Sequence, residues 1–259
     1  MRATCGPSVL DTACFPLVPF SNRIANGRFV VDGMDVRLTP NLPGSAHPHC
    51  LHGFGWLAGW RVVEAADDKA TLVHDYPGGE WPWPYHARQT FRLTADGLSM
   101  TLSVANHGAS AMPAGLGFHP YFPGADDALY RGLHRGEWQI TADCLPLSLN
   151  QAPEPVDWWH GAPVTSRNVD TAYTGRAGLL ELSWPSRRFG LTITPSDNLP
   201  VTVVYTPSGV DHFCVEPVSH ITDAINRKGT GGGMLWLEPG ESMEAAMQVS
   251  GYLLNTDYQ

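Results

Sequence analysis

Turn-forming residues interrupt this chain so often that long helices have little room. The 259 residues include 27 glycines and 22 prolines. They cut the chain into segments of roughly ten residues, a punctuation that favours short strands joined by tight turns. No stretch sustains the i, i+3, i+4, i+7 apolar pattern of an amphipathic helix. Strand-like runs are frequent instead. RVVEAA (61–66) and ATLVHDY (70–76) flank Asp67-Asp68-Lys69 and predict one hairpin. HARQTFRLTA (86–95) and LSMTLSVANH (98–107) flank Asp96-Gly97 and predict another, with Gly97 expected at positive φ. LTITPS (191–196), VTVVYTP (201–207), HFCVEPV (212–218) and MEAAMQVSGY (243–252) follow, with LEPGES (237–242) as the turn before the last strand. The expectation is an all-β fold, a large antiparallel β-sandwich. No linker, repeat or low-complexity segment divides the chain, so residues 1–259 read as a single domain. EWPWPYH (80–86) and APEPVDWWHGAP (152–163) read as long loops, where binding residues tend to lie.

The net charge of −9 argues against nucleic acid or an anionic membrane as partner, because both select basic patches. It argues less against a phosphorylated substrate, which a local arginine pair could hold. Apolar runs are too short to span a bilayer. The opening MRATCGPSVLDTACF lacks the apolar core of a secretion signal. Five cysteines, Cys5, Cys14, Cys50, Cys144 and Cys214, show no CxxC spacing. That is neither a disulfide framework nor a zinc-finger pattern, and a cytoplasmic protein is expected. Nine tryptophans and only 16% charged residues suit a sheet face that meets apolar and hydroxylated surface together, as a sugar presents. The same tryptophans could simply fill a β core. Trp81 and Trp83 are the candidates for stacking on a sugar.

Four segments set polar residues among aromatics and glycines: SNRIANGRF (21–29), HPHCLHGFGW (47–56), GFHPYF (117–122) and HFCVEPVSH (212–220). Glu216 lies in an otherwise apolar strand. Burial there would raise its pKa and make it a better base near neutral pH, whereas a place at an exposed strand end would leave it ordinary. His119 sits between Phe118 and Tyr121, and Pro120 biases it towards extended backbone. It is either a core histidine satisfied by the backbone or a proton donor in a dry pocket ringed by Phe118, Tyr121 and Phe122. A glutamate and a histidine that both titrate near neutrality would form an acid–base pair. His47, His49 and His52 have HxHxxH spacing, but Cys50 and Leu51 stand where a metal hydrolase would add its acid, so no metal is expected and His47 and His49 read as loop residues. His220 is a further candidate for the same cleft as Glu216. His74, His86, His107, His134, His160 and His212 carry no signal.

PFSNRIANGRF, LHGFGW, GFHPYF and VEPVSHITDAIN, in that order, resemble the aldose 1-epimerase (galactose mutarotase) family, with RNVDTAYTG (167–175) where that family has its sugar-binding aspartate. The resemblance covers roughly residues 15 to 252. It implies a galactose mutarotase-like sandwich with a sugar in an open cleft across one sheet. It also implies interconversion of the α and β anomers of a free aldose without metal or organic cofactor. Carried over motif by motif, Glu216 would be the general base and His119 the general acid. Arg23 and His52 would hold ring and hydroxyl oxygens, and Asp170, by itself an ordinary loop aspartate, would accept hydrogen bonds from hydroxyls. Asn22 and Trp81 complete the expected sugar-binding set. Members usually carry several strands before the asparagine–arginine motif, which arrives here at residue 22. The expectation is a shortened N-terminal part that exposes a sheet edge or uncovers part of the sandwich. The partner expected is a small-molecule sugar, and the protein a monomer or homodimer. Two other readings stay open: a non-catalytic carbohydrate-binding protein, and an epimerase of a sugar phosphate or a related lyase or hydrolase domain, for which Arg131 and Arg135 are the candidate phosphate-binding cations.

Overall fold

Alternation along each strand sends successive side chains to opposite faces, and here it sorts them between a shared interior and a cleft. The computed structural model describes residues 1–3, 6–151, 157–227 and 232–254. Two antiparallel sheets carry the fold. Seven strands run in the spatial order Cys14–Leu17, Gly117–Pro123, His212–Val218, Val201–Tyr205, Asp170–Thr174, Gly136–Ile140 and Pro146–Asn150. The second sheet has nine: Ala162–Pro163, Leu129–Gly132, Leu180–Trp184, Phe189–Pro195, Ser242–Leu253, Gly97–Asn106, Tyr85–Leu93, Lys69–Tyr76 and Arg61–Ala65. Among the described residues the helical segments are 3-10 turns of three or four residues, and no helix is long and apolar enough to cross a membrane.

One apolar core joins the sheets. Phe118, Phe122, Phe213 and Val215 come from the first, and Leu102, Val104, Leu182, Ile193 and Met247 from the second. Burial of such side chains is the main favourable term in folding. The opposite face of the seven-stranded sheet packs a smaller cluster that includes Phe15, Leu17, Leu51, Trp56, Tyr121 and Val203. Before Arg23, Cys14–Leu17 forms an edge strand on Gly117–Pro123, and Val18 and Phe20 are fully buried in the shared core.

Both expected hairpins form. Gly97 is needed for a different reason from the one expected. It does not adopt positive φ; a Cβ there would lie 1.9 Å from the Val249 carbonyl oxygen on the neighbouring strand. The EWPWPYH loop folds inward. Trp81 packs against Phe20, Phe29 and Trp83 in the shared core, and Trp83 donates its Nε1–H to Ser110 Oγ at 3.1 Å. In the second proline-rich stretch, residues 152–156 lie outside the described residues, as does Cys5. Its remainder is a 3-10 turn and the short strand Ala162–Pro163.

Candidate active site

Alternation on two neighbouring strands puts the two most suspect residues on one face. In Gly117–Pro123, Phe118 and Phe122 point into the shared core, and His119 and Tyr121 point the other way. In His212–Val218, Phe213 and Val215 enter the core, and His212 and Glu216 face the cleft. Asp170 and Tyr205 reach the same side from their strands, where they are register partners. Asp170 is therefore the first residue of a strand rather than a loop residue. These side chains line a cleft of about 360 Å³, together with Phe15, Asn22, Arg23, His52 and Trp56.

His119 Nε2 and Glu216 Oε1 lie 3.3 Å apart at the cleft floor, and Glu216 is 2% exposed. Glu216 Oε2 and His119 Nδ1 are buried without hydrogen-bond partners. Burial pushes the Glu216 carboxyl well above the usual carboxylate range; Asp170 adds to the rise and Arg23 opposes it. Burial also pushes His119 down to about 3, which corrects the expectation of an imidazole titrating near neutrality. A buried site resists either charge standing alone. Both shifts favour the uncharged form of each partner. The ring of His119 stacks on Phe15, with centroids 4.2 Å apart, and meets Tyr121 at 4.9 Å. Two of the aromatics expected to ring it, Phe118 and Phe122, instead anchor its strand from the other face.

The arginine loop is held from several directions. Arg23 donates from NH2 to Asp170 Oδ2 at 2.8 Å, from NH1 to Asn22 Oδ1 at 3.0 Å and from Nε to His47 Nε2 at 3.2 Å. Desolvation opposes its charge, but attraction to Asp170 outweighs that and raises its pKa. His52 and Asn22 both adopt left-handed backbone. The His52 N–H donates to the Asn22 carbonyl at 2.9 Å, and the Asn22 N–H donates to His52 Nδ1 at 3.2 Å. That second bond assigns the proton of neutral His52 to Nε2. Burial, with His119 and Arg23 nearby, holds His52 well below its ordinary pKa, so it offers a neutral N–H donor.

His220 does not line the cleft. Its Nδ1–H donates to the Ile221 carbonyl at 2.8 Å and its Nε2 accepts from the Ser21 N–H at 3.0 Å. It latches the residue before Asn22. Asp223 works beside it: its N–H donates to the Arg23 carbonyl and its Oδ1 accepts from the Ala25 N–H. The segment after Glu216 thus fixes the segment that carries Arg23.

The structure brings together Glu216, His119, Arg23, Asn22, His52 and Asp170, and leaves out Trp81, which is buried away from the cleft in the shared core. Arg131 pairs with Glu181 and Arg135 lies over the Trp159 ring; neither lines the cleft. Sequence reasoning missed Phe15, Trp56, Tyr205 and His212. For His212, even spacing from Glu216 on one strand was an available signal. The HxHxxH histidines take separate partners, with His49 bonded to Asp143 and to the Asn26 N–H. A larger recess of about 530 Å³, beside residues 206–213, shares only His212 with the cleft. The cleft is the better candidate because its polar groups converge on one buried acid–base contact.

The comparisons place this sandwich in a family of sugar-handling isomerases. The aldose 1-epimerase family profile matches residues 7–250, and the chain belongs to that family. It is 34% identical over 247 residues to the uncharacterized protein YphB of Escherichia coli (strain K12), covering 92% of this chain and 83% of that protein. A crystal structure of an Escherichia coli K12 protein provisionally named an aldose 1-epimerase superposes with a TM-score of 0.86 at 33% identity, over 95% of this chain and 86% of that one. A galactose mutarotase-like protein from Clostridium acetobutylicum shares the fold, with a TM-score of 0.81 at 18% identity over 93% and 79% of the two chains. Family and fold support a mutarotase-like activity on a small sugar.

Proposed function

We propose that this protein interconverts the α and β anomers of a neutral free aldose, with Glu216 as general base and His119 as general acid. The observation that carries the reading is the 3.3 Å contact between His119 Nε2 and Glu216 Oε1 at the cleft floor. Opening a cyclic hemiacetal requires two proton transfers at one carbon. The anomeric hydroxyl loses a proton while the ring oxygen gains one. Both oxygens are bonded to C1, so base and acid must sit side by side. In the ring-opening direction carboxylate Glu216 accepts the hydroxyl proton and imidazolium His119 donates to the ring oxygen. The C1–O bond breaks, and the open-chain aldehyde is left beside a protonated carboxyl and a neutral imidazole. Burial favours those uncharged forms. Rotation about C1–C2 presents the other face of the aldehyde, and the same groups run the step in reverse.

The pair holds one proton throughout, and only its position changes. The charge-separated form needs polar partners that a dry site lacks. The Arg23 guanidinium and the free Nε2–H of His52, both on the cleft wall, supply them at the sugar oxygens. Asn22 and Asp170 keep Arg23 in place, and Asp170 has acceptor capacity left for a hydroxyl. A phosphorylated sugar is the poorer fit. Arg23 is the one arginine lining the cleft among the described residues, and Asp170 already balances its charge. A binding protein without turnover would have no use for an acid and a base in contact.

The test is anomer exchange by NMR. The α-anomeric proton of a free aldose is saturated and the β signal followed, with and without protein, across glucose, galactose, arabinose and xylose. Protein-dependent transfer is expected for at least one sugar. Binding without transfer for every sugar would point to a carbohydrate-binding protein, and transfer confined to phosphorylated sugars to the other alternative.

A further inference from the structure

A third reactive group lies beside Glu216 and His119, buried and outside the cleft lining. Cys214 lies two residues before Glu216 on the same strand, so alternation puts its thiol on the same face. Its register partners are Tyr121 on one side and Tyr205 on the other. The thiol is fully buried and in no disulfide. One donor atom each from His119, Cys214 and Glu216 falls within 4.8 Å of the others, the one such convergence of three metal-binding residue types among the described residues.

We propose that His119, Cys214 and Glu216 form a binding site for a divalent zinc-like cation, and that its occupation switches the cleft off. As the ion binds, the Cys214 thiol gives up its proton to water in the cleft, and the imidazole, thiolate and carboxylate then make a donor set suited to zinc, which takes N, S and O ligands in tetrahedral geometry. Bond lengths of about 2.0 Å to nitrogen and oxygen put two such ligands a little over 3 Å apart. The His119 Nε2 to Glu216 Oε1 separation of 3.3 Å already matches that spacing. Sulfur takes a longer bond, about 2.3 Å, which puts it about 3.5 Å from the other two donors, so Cys214 has to close by up to about 1.3 Å. Glu216 Oε2 is buried without a hydrogen-bond partner. His119 and Glu216 border the cleft, so an ion enters from there and its fourth position stays open to water. The bound cation would engage both Nε2 and the carboxylate. Neither could then exchange a proton with a sugar, and ion and sugar would compete.

The experiment titrates the full chain with cobalt(II), which reports thiolate ligation through a sulfur-to-cobalt charge-transfer band. The expected result is one equivalent bound, with that band and the strong visible bands of a four-coordinate ion, both displaced by zinc. Cys214→Ala should lose the charge-transfer band and weaken cobalt binding by more than the roughly tenfold that loss of a supporting contact costs. It should keep its metal-free anomer exchange. Glu216→Gln, nearly isosteric, should weaken the metal while keeping the sulfur band at saturation. In the wild type, zinc should inhibit exchange competitively with sugar. Absence of the band, or a band unchanged in Cys214→Ala, would overturn the proposal, the latter by assigning the metal to another cysteine. The spectroscopic arm does not depend on turnover, so a protein that binds cobalt at Cys214 but exchanges no anomers would refute the proposed activity alone.

Discussion

At the scale of single residues, everything turns on where one proton sits. Glu216→Gln keeps the shape of the side chain but cannot take the anomeric proton. Exchange should fall by about 10²- to 10⁴-fold, the usual worth of a positioned acid or base, while sugar affinity changes little. Saturation transfer beside a binding titration separates the two, and full turnover in this variant would refute the mechanism. Arg23→Ala should act differently. It removes a group that meets the sugar in ground and transition states alike and releases Asp170 from its 2.8 Å partner, so affinity and rate should drop together. Much of this site was legible in the sequence, since a glutamate within HFCVEPV and a histidine within GFHPYF stand out from apolar surroundings. What was not legible was direction. The strand period assigns Phe118 and Phe122 to the face opposite His119, yet nothing local says that Phe15, about a hundred residues away, will be the ring that stacks on it. Trp81 and Trp83 were unreadable for a related reason. A loop rich in proline and tryptophan looks exposed, and only the gap between the sheets shows that it folds inward.

At the scale of elements, short motifs far apart in sequence prove to be one mechanical assembly. The turn carrying His52 and Gly53 is clamped to the segment before Arg23. Gly53 has φ of +71°, and a Cβ there would lie 2.2 Å from the Val18 carbonyl oxygen. That carbonyl cannot retreat cheaply, because it accepts from the Phe54 and Gly55 N–H groups at 3.1 and 3.0 Å. Gly53→Ala therefore combines a left-handed backbone, about 1–3 kcal/mol for a residue with a Cβ, with a steric clash. The expected outcome is a clear drop in the denaturation midpoint and weaker sugar binding through a displaced His52. Asp223→Ala tests the other clamp. It leaves the half-buried Ala25 N–H without its acceptor at 3.0 Å, a loss of about 1 kcal/mol, and should loosen Arg23 while the His119–Glu216 contact stays intact. A rise in KM larger than the fall in kcat would be its signature; an unchanged KM would mean that the Arg23 loop holds without Asp223. Eight strands were read from the sequence to within two residues at each end, because hairpins with polar turns and alternating apolar runs announce their ends; others, Gly117–Pro123 and Asp170–Thr174 among them, were not. The pairing order across the seven-stranded sheet was not, since strands distant in the chain choose partners through the shared core.

For the whole molecule, buried histidines set the response to acid. Burial lowers His134 to about 3 and His220 to about 4, and places His52 well below its ordinary value. In the unfolded chain each would take a proton near pH 6.5. A histidine whose pKa is depressed in the folded state contributes stability that is whole above about pH 6.5 and is lost as pH falls towards the folded value. For His220 the shift amounts to about 3 kcal/mol. His119 is depressed as well, yet it should add little to this loss. Glu216 is shifted upward by the same burial, so the proton uptake of His119 on unfolding is opposed by proton release from Glu216. Burial also lowers His47, His74 and His212, so the stability of the fold should decline between about pH 6.5 and 4.5 with a net uptake of protons on unfolding. Thermal melts across that range measure the slope, and His134→Gln should lower it by about one proton. A slope unchanged in His134→Gln would mean that His134 contributes nothing to the loss of stability in acid.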